Sequence, residues 1–431
     1  MTAENSSRKA DVRRRLVWLA VIFLVALTVR IVFVSRLQSG FYFWDSVRYD
    51  TAAMRLLEHG DLGPDYNRSP LYPAYLAGLY WLFGHSIPAV RIVESLLGAL
   101  VALFLVIIGE RLFNQRAGIL AGLIWSFYPL AVFMAGLVYP EALTTFLLAL
   151  GILMLVSGGQ RPRAAALLAS GACLSFAVLL KPVVIATIVF VAVWLFLFSS
   201  RPGSAAGSGL LAPSRLRPVG LFCAGAALCL GFSAGVNQLW LGRAFVTDPR
   251  ALRFIDKAGS TNREEVNKGR IRRIIEDPLK AAGDYASEFA HFWQLTPDRV
   301  VMSDQKLRDK FHERNSRVVR RTVFGVNSLT SLVSLLSTGP VFLLALYGVI
   351  SLARAGQWRE LSLMAMVVLS FAFAYAFFFS QMRYRIPVEP YIIVVAGYGF
   401  DRLACWLRID QWLLRRRRAG SPQVAVSESA R

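Results

Sequence analysis

An apolar run near the start of the chain, RRRLVWLAVIFLVALTVRIVFV at residues 13–34, indicates the fold class. Three arginines precede it, and about 20 apolar residues are enough for a helix to cross a bilayer. Because no small-residue cleavage site follows, we interpret the run as an uncleaved membrane helix and not as a signal peptide. Arginine is retained on the cytoplasmic side, so residues 1–15 are predicted to form a short cytoplasmic tail.

The composition extends this interpretation to the whole chain. Of the 431 residues, 55% are hydrophobic and only 17% are charged, whereas soluble domains carry about 25% charged residues. Further apolar runs begin near residues 87, 117, 138, 164, 182, 219, 325, 361 and 390. The sequence therefore predicts an all-α integral membrane protein, a polytopic helical bundle of about 10 transmembrane helices.

The arginines indicate which side of the membrane each connector faces. The formal net charge is +21, yet no zinc-finger, RNA-binding or helix-turn-helix pattern points to nucleic acid. Basic residues recur in every second connector and in the tail at 409–431, so both termini are expected to be cytoplasmic. A cytoplasmic linker is predicted at 201–218, and the remaining helices at 219–408. The two long extracytoplasmic loops are predicted at 36–86 and 241–323.

The first of these loops places an acidic residue among aromatic side chains, in FYFWDSVRYD at residues 41–50. Asp45 has two interpretations there. It could be a solvated carboxylate within an interfacial aromatic belt. It could instead be a partly dehydrated general base that takes a proton from an attacking hydroxyl. An amphipathic helix that lies on the membrane is predicted at 49–58. The apolar stretch at 74–85 is too short to span the membrane and is predicted to form a second helix, interfacial or re-entrant.

Four further motifs fall on the same predicted face. They are Arg68-Ser69-Pro70-Leu71-Tyr72-Pro73, Glu141 at the start of the fourth span, Lys181 at the end of the fifth, and Arg383-Tyr384-Arg385-Ile386-Pro387. Together with Trp44-Asp45, their order resembles that of the polytopic GT-C glycosyltransferases, in the branch of protein O-mannosyltransferases and lipid A aminoarabinose transferases (glycosyltransferase family 39-like). The resemblance implies a GT-C-like bundle whose catalytic core is residues 16–200.

The resemblance also implies a role for each of these side chains. Asp45 matches the catalytic carboxylate of the first loop, and Glu141 matches an acidic residue that is often Asp in the family. Phosphate-binding residues would be Arg68, Lys181, Arg383 and Arg385, with weaker substrate contacts from Tyr72, Tyr139 and Tyr384. Simpler interpretations stay open, because Glu141 also suits a helix start, Lys181 a helix end, and Arg383 and Arg385 an interfacial anchor.

Two other pairs of residues carry expectations. Arg91 and Glu94 are three positions apart in the second span and are expected to neutralise each other on one helix face. Tyr285 and Trp293 lie in the second long loop and are candidate surfaces for stacking on a sugar.

The function implied is transfer of a sugar from a polyprenyl-phosphate donor to a glycan, lipid or protein acceptor on the extracytoplasmic face, by an inverting displacement. No cofactor is predicted, although Asp45 and Glu141 could share a divalent metal. Only 7 of the 48 basic residues are lysine, which favours a bacterial inner membrane and undecaprenyl phosphate as the carrier. A transporter or flippase of lipid-linked sugars, or a non-catalytic scaffold, stays open as an alternative.

Overall fold

The computed structural model describes residues 2–38, 40–63, 66, 68–158, 163–199, 213–241, 276–296, 328–378 and 380–407. Most of the predicted loop 241–323, most of the linker 201–218 and the basic tail lie outside these residues. The described part is helical and contains no β-strand. Its elements are α1 (Thr2–Ser35), α2 (Trp44–His59), α3 (Leu71–Phe83), α4 (Ile87–Leu112), α5 (Gln115–Phe127), α6 (Pro129–Met134), α7 (Pro140–Ser157), α8 (Ala164–Leu180), α9 (Val184–Phe198), α10 (Pro213–Leu241), α11 (Pro278–Phe292), α12 (Ser328–Arg354), α13 (Trp358–Phe378), a 3-10 helix (Met382–Val388) and α14 (Glu389–Trp406).

Six of the described helices are long and apolar enough to cross a membrane. These segments are Asp11–Ser35, Ile87–Leu112, Pro140–Ser157, Pro213–Gly235, Ser331–Arg354 and Trp358–Phe378. The prediction of an all-α polytopic membrane protein is therefore confirmed. Helices α8 and α9 are apolar but shorter, with 17 and 15 residues, so the count of about ten spans stays a prediction.

The predicted span that begins near residue 117 is divided into two helices, α5 and α6. Tyr128 separates them with extended backbone angles, φ −66° and ψ 112°. The next residue, Pro129, lacks an N–H and disfavours helical backbone at the position before it, while it suits the first position of a new helix. This single proline therefore ends α5 after 13 residues.

Small residues let the helices of the bundle approach closely. A Cβ atom at Gly118 of α5 would lie 2.2 Å from the carbonyl oxygen of Val106 of α4. One at Gly171 of α8 would lie 2.1 Å from the carbonyl oxygen of Phe222 of α10. Such backbone contact through small residues is typical of helix pairs in membranes, where apolar side chains gain little by leaving the lipid. The resulting bundle holds the helix ends at fixed positions.

The first loop forms the two short helices predicted for it, α2 and α3, which pack on each other and on the start of α4. The fully buried carboxylate of Asp50 in α2 accepts a hydrogen bond from the Tyr80 hydroxyl of α3 at 2.7 Å. The same oxygen lies 2.6 Å from Nε2 of His85, which precedes α4. These contacts fix α2, and with it Asp45, against the bundle.

Arg91 of α4 fixes the connectors on either side of the site. Its guanidinium donates hydrogen bonds to the carbonyl oxygens of Gln38 at 2.9 Å, Gly40 at 2.7 Å and Gly136 at 2.9 Å. The expected pairing with Glu94 is wrong, because these carbonyl groups hold the Arg91 side chain and no ion pair joins the two among the described residues. Glu94 is fully buried and instead accepts a hydrogen bond from the Tyr72 hydroxyl at 2.6 Å.

Candidate functional site

A cavity opens where the starts of α2 and α7 meet the ends of α8 and α13 and the 3-10 helix. Of the nine residues predicted for the site, eight line this cavity: Asp45, Arg68, Tyr72, Tyr139, Glu141, Lys181, Arg383 and Tyr384. They come from segments that are far apart in sequence. The alternation of the helices across the bundle therefore brings the predicted chemistry to one place.

Asp45 and Arg68 form the first charged pair of the cavity. Asp45 lies in the first turn of α2, where the helix dipole favours a carboxylate. Arg68 donates from Nη2 to Oδ1 of Asp45 at 2.6 Å and from Nη1 to the Tyr49 hydroxyl at 3.0 Å. Burial alone would raise the pKa of Asp45, but the charge and hydrogen bond of Arg68, together with the charges of Arg383 and Arg48, hold that pKa below its ordinary value. Asp45 is therefore ionised in the unliganded protein at neutral pH.

Glu141 and Lys181 form the second pair. Glu141 lies in the first turn of α7 after Pro140, and Lys181 directly follows α8. The Lys181 ammonium donates to Oε1 of Glu141 at 2.8 Å, and the two side chains are only 10% and 2% exposed. The other carboxylate oxygen, Oε2, makes no hydrogen bond within the described part of the chain. One acceptor atom of this buried pair is thus left without a hydrogen-bond donor in the described part of the chain.

Arg383 is the third cation of the cavity, and it is the least neutralised. Its nearest carboxylate oxygen among the described residues, Oδ2 of Asp45, is 4.0 Å from Nη2. Its hydrogen bonds go to phenol hydroxyls, from Nη1 to Tyr139 at 3.3 Å and from Nη2 to Tyr384 at 3.4 Å. Burial raises the pKa of Tyr139 well above its ordinary value, so this phenol stays neutral. Arg383 therefore has the longest carboxylate contact of the three cavity cations, at 4.0 Å to Asp45.

Arg385, which was predicted to hold the phosphate beside Arg383, lies elsewhere. It is fully buried and forms an ion pair with the equally buried Glu389 at the start of α14. Its Nη1 also donates to the carbonyl oxygens of Phe292 and Gln294, each at 2.9 Å, at the end of α11. A buried arginine needs these partners. We correct its assignment to a structural one, because it ties α11 to α14.

Tyr285 and Trp293 do not line the cavity either. The Tyr285 hydroxyl donates to the carbonyl oxygen of Phe373 at 3.1 Å on the outside of α13. Trp293 packs edge-on against Phe292 and Phe342. Neither side chain is placed to stack on a sugar in this cavity.

Two tyrosines that sequence reasoning did not single out also line the cavity. Tyr49 receives the hydrogen bond from Arg68 described above. Tyr375, in α13, stacks on the ring of Tyr384 with centroids 4.4 Å apart and planes within 8°. Tyr49 lies four residues after Asp45 and so on the same helix face, which was a usable signal. Tyr375 lies inside an apolar span with no motif around it, and only three-dimensional packing reveals it.

Among the described residues, no group of three or more His, Cys, Asp or Glu side chains is arranged to hold a metal ion. The two carboxylates that could have shared a divalent cation are each hydrogen-bonded to a basic side chain instead. We therefore assign no metal ligands.

Comparison with known proteins places these observations in a family context. Residues 67–208 match the model of the family described as dolichyl-phosphate-mannose-protein mannosyltransferase. That range includes Arg68, Glu141 and Lys181. No curated protein matches the sequence.

Solved structures share the architecture of most of the chain. ArnT from Cupriavidus metallidurans bound to undecaprenyl phosphate is 15% identical, with a TM-score of 0.51 over 89% of this chain. The apo oligosaccharyltransferase of Archaeoglobus fulgidus is 13% identical, with a TM-score of 0.54 over 93% of this chain. The chain has the GT-C fold. This GT-C chain corresponds to 60% of the ArnT chain and 52% of the oligosaccharyltransferase chain.

A third structure, of the archaeal oligosaccharyltransferase AglB from Archaeoglobus fulgidus, contains an inhibitory peptide and a dolichol-phosphate. It is 13% identical, with a TM-score of 0.50 over 92% of this chain and 51% of its own. At these identities the likeness establishes the GT-C fold, and it confirms the resemblance drawn from the sequence motifs.

Proposed function

We propose that this GT-C protein is a membrane glycosyltransferase that transfers a sugar from a polyprenyl-phosphate donor to an acceptor on the extracytoplasmic face. The cavity carries the observation that most supports this. Two carboxylates, Asp45 and Glu141, face three cations, Arg68, Lys181 and Arg383, so the lining has a net charge of about +1. A sugar phosphodiester has one negative charge, and binding it would make the cavity neutral.

The proposed reaction is a single displacement. The Asp45 carboxylate takes the proton of an acceptor hydroxyl or amine as that atom forms a bond to the anomeric carbon. The bond from the anomeric carbon to the phosphate oxygen breaks, and its electron pair leaves with the polyprenyl phosphate. The configuration at the anomeric carbon inverts. A phosphate is a good leaving group, so no separate general acid is required.

The cations would stabilise the charge that grows on the leaving phosphate. Arg383 would meet the phosphate first, because its nearest carboxylate oxygen is 4.0 Å away. Arg68 and Lys181 would then donate hydrogen bonds to the phosphate as well as to their carboxylate partners. Fixed charges in a site of low dielectric constant stabilise such a transition state better than water does. In this scheme Glu141 orients Lys181.

The relatives of known structure support a lipid-phosphate donor. One contains undecaprenyl phosphate and another contains dolichol-phosphate. We propose a bacterial inner membrane as the location, with both termini cytoplasmic and the cavity facing the periplasm or the exterior. A glycan, a lipid or a protein are the acceptor classes to be tested, and the donor panel should include hexoses and pentoses.

The test uses purified protein in liposomes without an ion gradient, supplied with polyprenyl-phosphate sugars and a panel of acceptors. We expect release of polyprenyl phosphate together with a glycosylated product of inverted anomeric configuration. Mass spectrometry would detect the product, and NMR would determine its anomeric configuration. In cells, deletion of the gene should cause one polyprenyl-phosphate sugar to accumulate. Movement of the intact donor between leaflets, with no product from any donor, would refute the proposal in favour of a flippase.

A further inference from the structure

The ring of Tyr384 is shared by two of the cavity cations. The Lys181 ammonium lies over it at 5.2 Å from the ring centroid, and the Arg383 guanidinium lies over it at 5.1 Å. Tyr375 stacks against the same ring in a nearly parallel arrangement, at 4.4 Å. One aromatic side chain is therefore in contact with both cations and with a second aromatic ring.

This arrangement joins two parts of the site that are otherwise held separately. Lys181 is hydrogen-bonded to Glu141, and Arg383 is hydrogen-bonded to the phenols of Tyr139 and Tyr384. Two like charges repel each other, whereas the electron-rich face of an aromatic ring attracts each of them. The ring of Tyr384 offsets part of the repulsion before any anion is bound.

We propose that Tyr384 is a positioning residue that holds Lys181 and Arg383 at the spacing needed to clamp one phosphate group, and that Tyr375 fixes the plane of its ring. The inference rests on the proposed function, because the phosphate is that of the lipid donor. It gives Tyr384 a role different from the weak substrate contact expected from sequence.

The packing around the ring favours this role over stacking on a sugar. The nearly parallel ring of Tyr375 stacks on Tyr384 with centroids 4.4 Å apart, and the two cations lie over the Tyr384 ring as well. A sugar would have to displace one of these neighbours. The hydroxyl contributes little, since its hydrogen bond from Arg383 is long at 3.4 Å. The aromatic ring, and not the phenol oxygen, is the part of Tyr384 that matters.

The test measures binding of two lipids to the full-length protein in nanodiscs: polyprenyl phosphate without a sugar, and the polyprenyl-phosphate sugar that is the donor. The variants are Tyr384→Phe, which keeps the ring, and Tyr384→Leu, which removes it. Tyr398→Leu is the matched control, because Tyr398 also packs against an aromatic ring, that of Phe113, and has Arg402 over it, but lies outside the cavity.

We expect Tyr384→Phe and Tyr398→Leu to bind both lipids within about twofold of wild type. Tyr384→Leu should weaken both lipids by a similar factor, about tenfold. In turnover, the donor KM of Tyr384→Leu should rise and kcat should fall as well, because the same two cations stabilise the charge that grows on the leaving phosphate. A purely structural defect would instead lower the amount of folded protein and leave the affinity of the remaining folded protein for both lipids unchanged. Tyr375→Leu should change donor KM in the same direction by a smaller factor, and it serves as the test if Tyr384→Leu cannot be purified.

Several outcomes would overturn the inference. Loss of affinity only for the sugar-bearing lipid would make Tyr384 a sugar platform. Unchanged affinity for both lipids would mean that the ring does not position the cations. If wild type itself binds neither lipid, the proposed function fails and the inference fails with it. If wild type binds both and Tyr384→Leu does too, only the inference fails.

Discussion

Replacing Asp45 by asparagine tests the proposed base with little change of shape. The amide oxygen of the introduced asparagine can still accept the hydrogen bond that Arg68 donates to Asp45 at 2.6 Å, so Arg68 is expected to keep its position. What disappears is the negative charge and the ability to take a proton. The variant therefore separates catalysis from the architecture of the cavity.

The charges of the cavity set the size and direction of the effect. A general base contributes about 10²–10⁴ in rate, so kcat should fall by that factor, which is about 2.7–5.5 kcal/mol. Donor binding, in contrast, should become tighter. The Asp45 oxygen 4.0 Å from Arg383 attracts it by about 4 kcal/mol at an effective dielectric constant of about 20. Because a quarter of the Asp45 side chain is exposed, screening leaves about 1 kcal/mol, or about fivefold tighter donor binding.

The assay is release of polyprenyl phosphate at saturating acceptor, with kcat and donor KM determined separately. Asp61→Asn is the matched control, because Asp61 also pairs with an arginine, Arg55, but both are largely exposed and outside the cavity. We expect Asp61→Asn to have a kcat within about twofold of wild type. If Asp45→Asn keeps more than about a tenth of the wild-type kcat, or if its donor binding weakens together with kcat, Asp45 is not the base.

The ion pairs lead to three further predictions. Arg68→Gln removes the largest of the arginine contributions that lower the pKa of Asp45, so that pKa should rise even though Arg383 and Arg48 still lower it. Because the base acts when ionised, the acid limb of kcat/KM, measured between about pH 3 and 8, should move to higher pH. An unmoved limb would contradict this origin of the pKa. Lys181→Met or Glu141→Gln should each lower thermal stability, because breaking a buried ion pair costs about 3–5 kcal/mol. The double variant should lose less stability than the sum of the two single losses. Losses in Tm that add up, measured at a fixed scan rate, would refute the coupling. Arg385→Gln should lower Tm but leave donor KM within about twofold, and a large rise in KM in folded protein would return this residue to the phosphate site.

Hydropathy and the arginine pattern were sufficient to predict the fold class, because a bilayer accepts only backbone that satisfies its own hydrogen bonds. The length of individual spans was harder to predict. Pro129 interrupts a run that reads as continuously apolar, and it divides α5 from α6. The backbone preferences of that proline could be deduced from the sequence, but a hydropathy value averaged over a window of apolar residues does not reveal a single proline.

The two arginines near the end of the chain show where sequence reasoning about the site failed. Arg383 and Arg385 were assigned to the phosphate together because both belong to the motif Arg383-Tyr384-Arg385-Ile386-Pro387 on the predicted outer face. The segment is a 3-10 helix, Met382–Val388. With three residues per turn, positions two apart differ by about 240°. Arg383 consequently faces the cavity, while Arg385 faces the interior and Glu389.

The sequence indicated which charged residues belong to the candidate site, but it did not indicate which of them form pairs. Asp45 meets Arg68 across 23 residues and Glu141 meets Lys181 across 40, while Arg383 reaches Asp45 from the far end of the chain. Each of them lies at a helix end or a connector predicted to be on one face of the membrane, so the topology alone brings them to the same depth. Because an unpaired buried charge is costly, each carboxylate of the cavity lies next to a basic side chain. Arg383 is left furthest from a carboxylate, which is the feature expected of a site that awaits an anion.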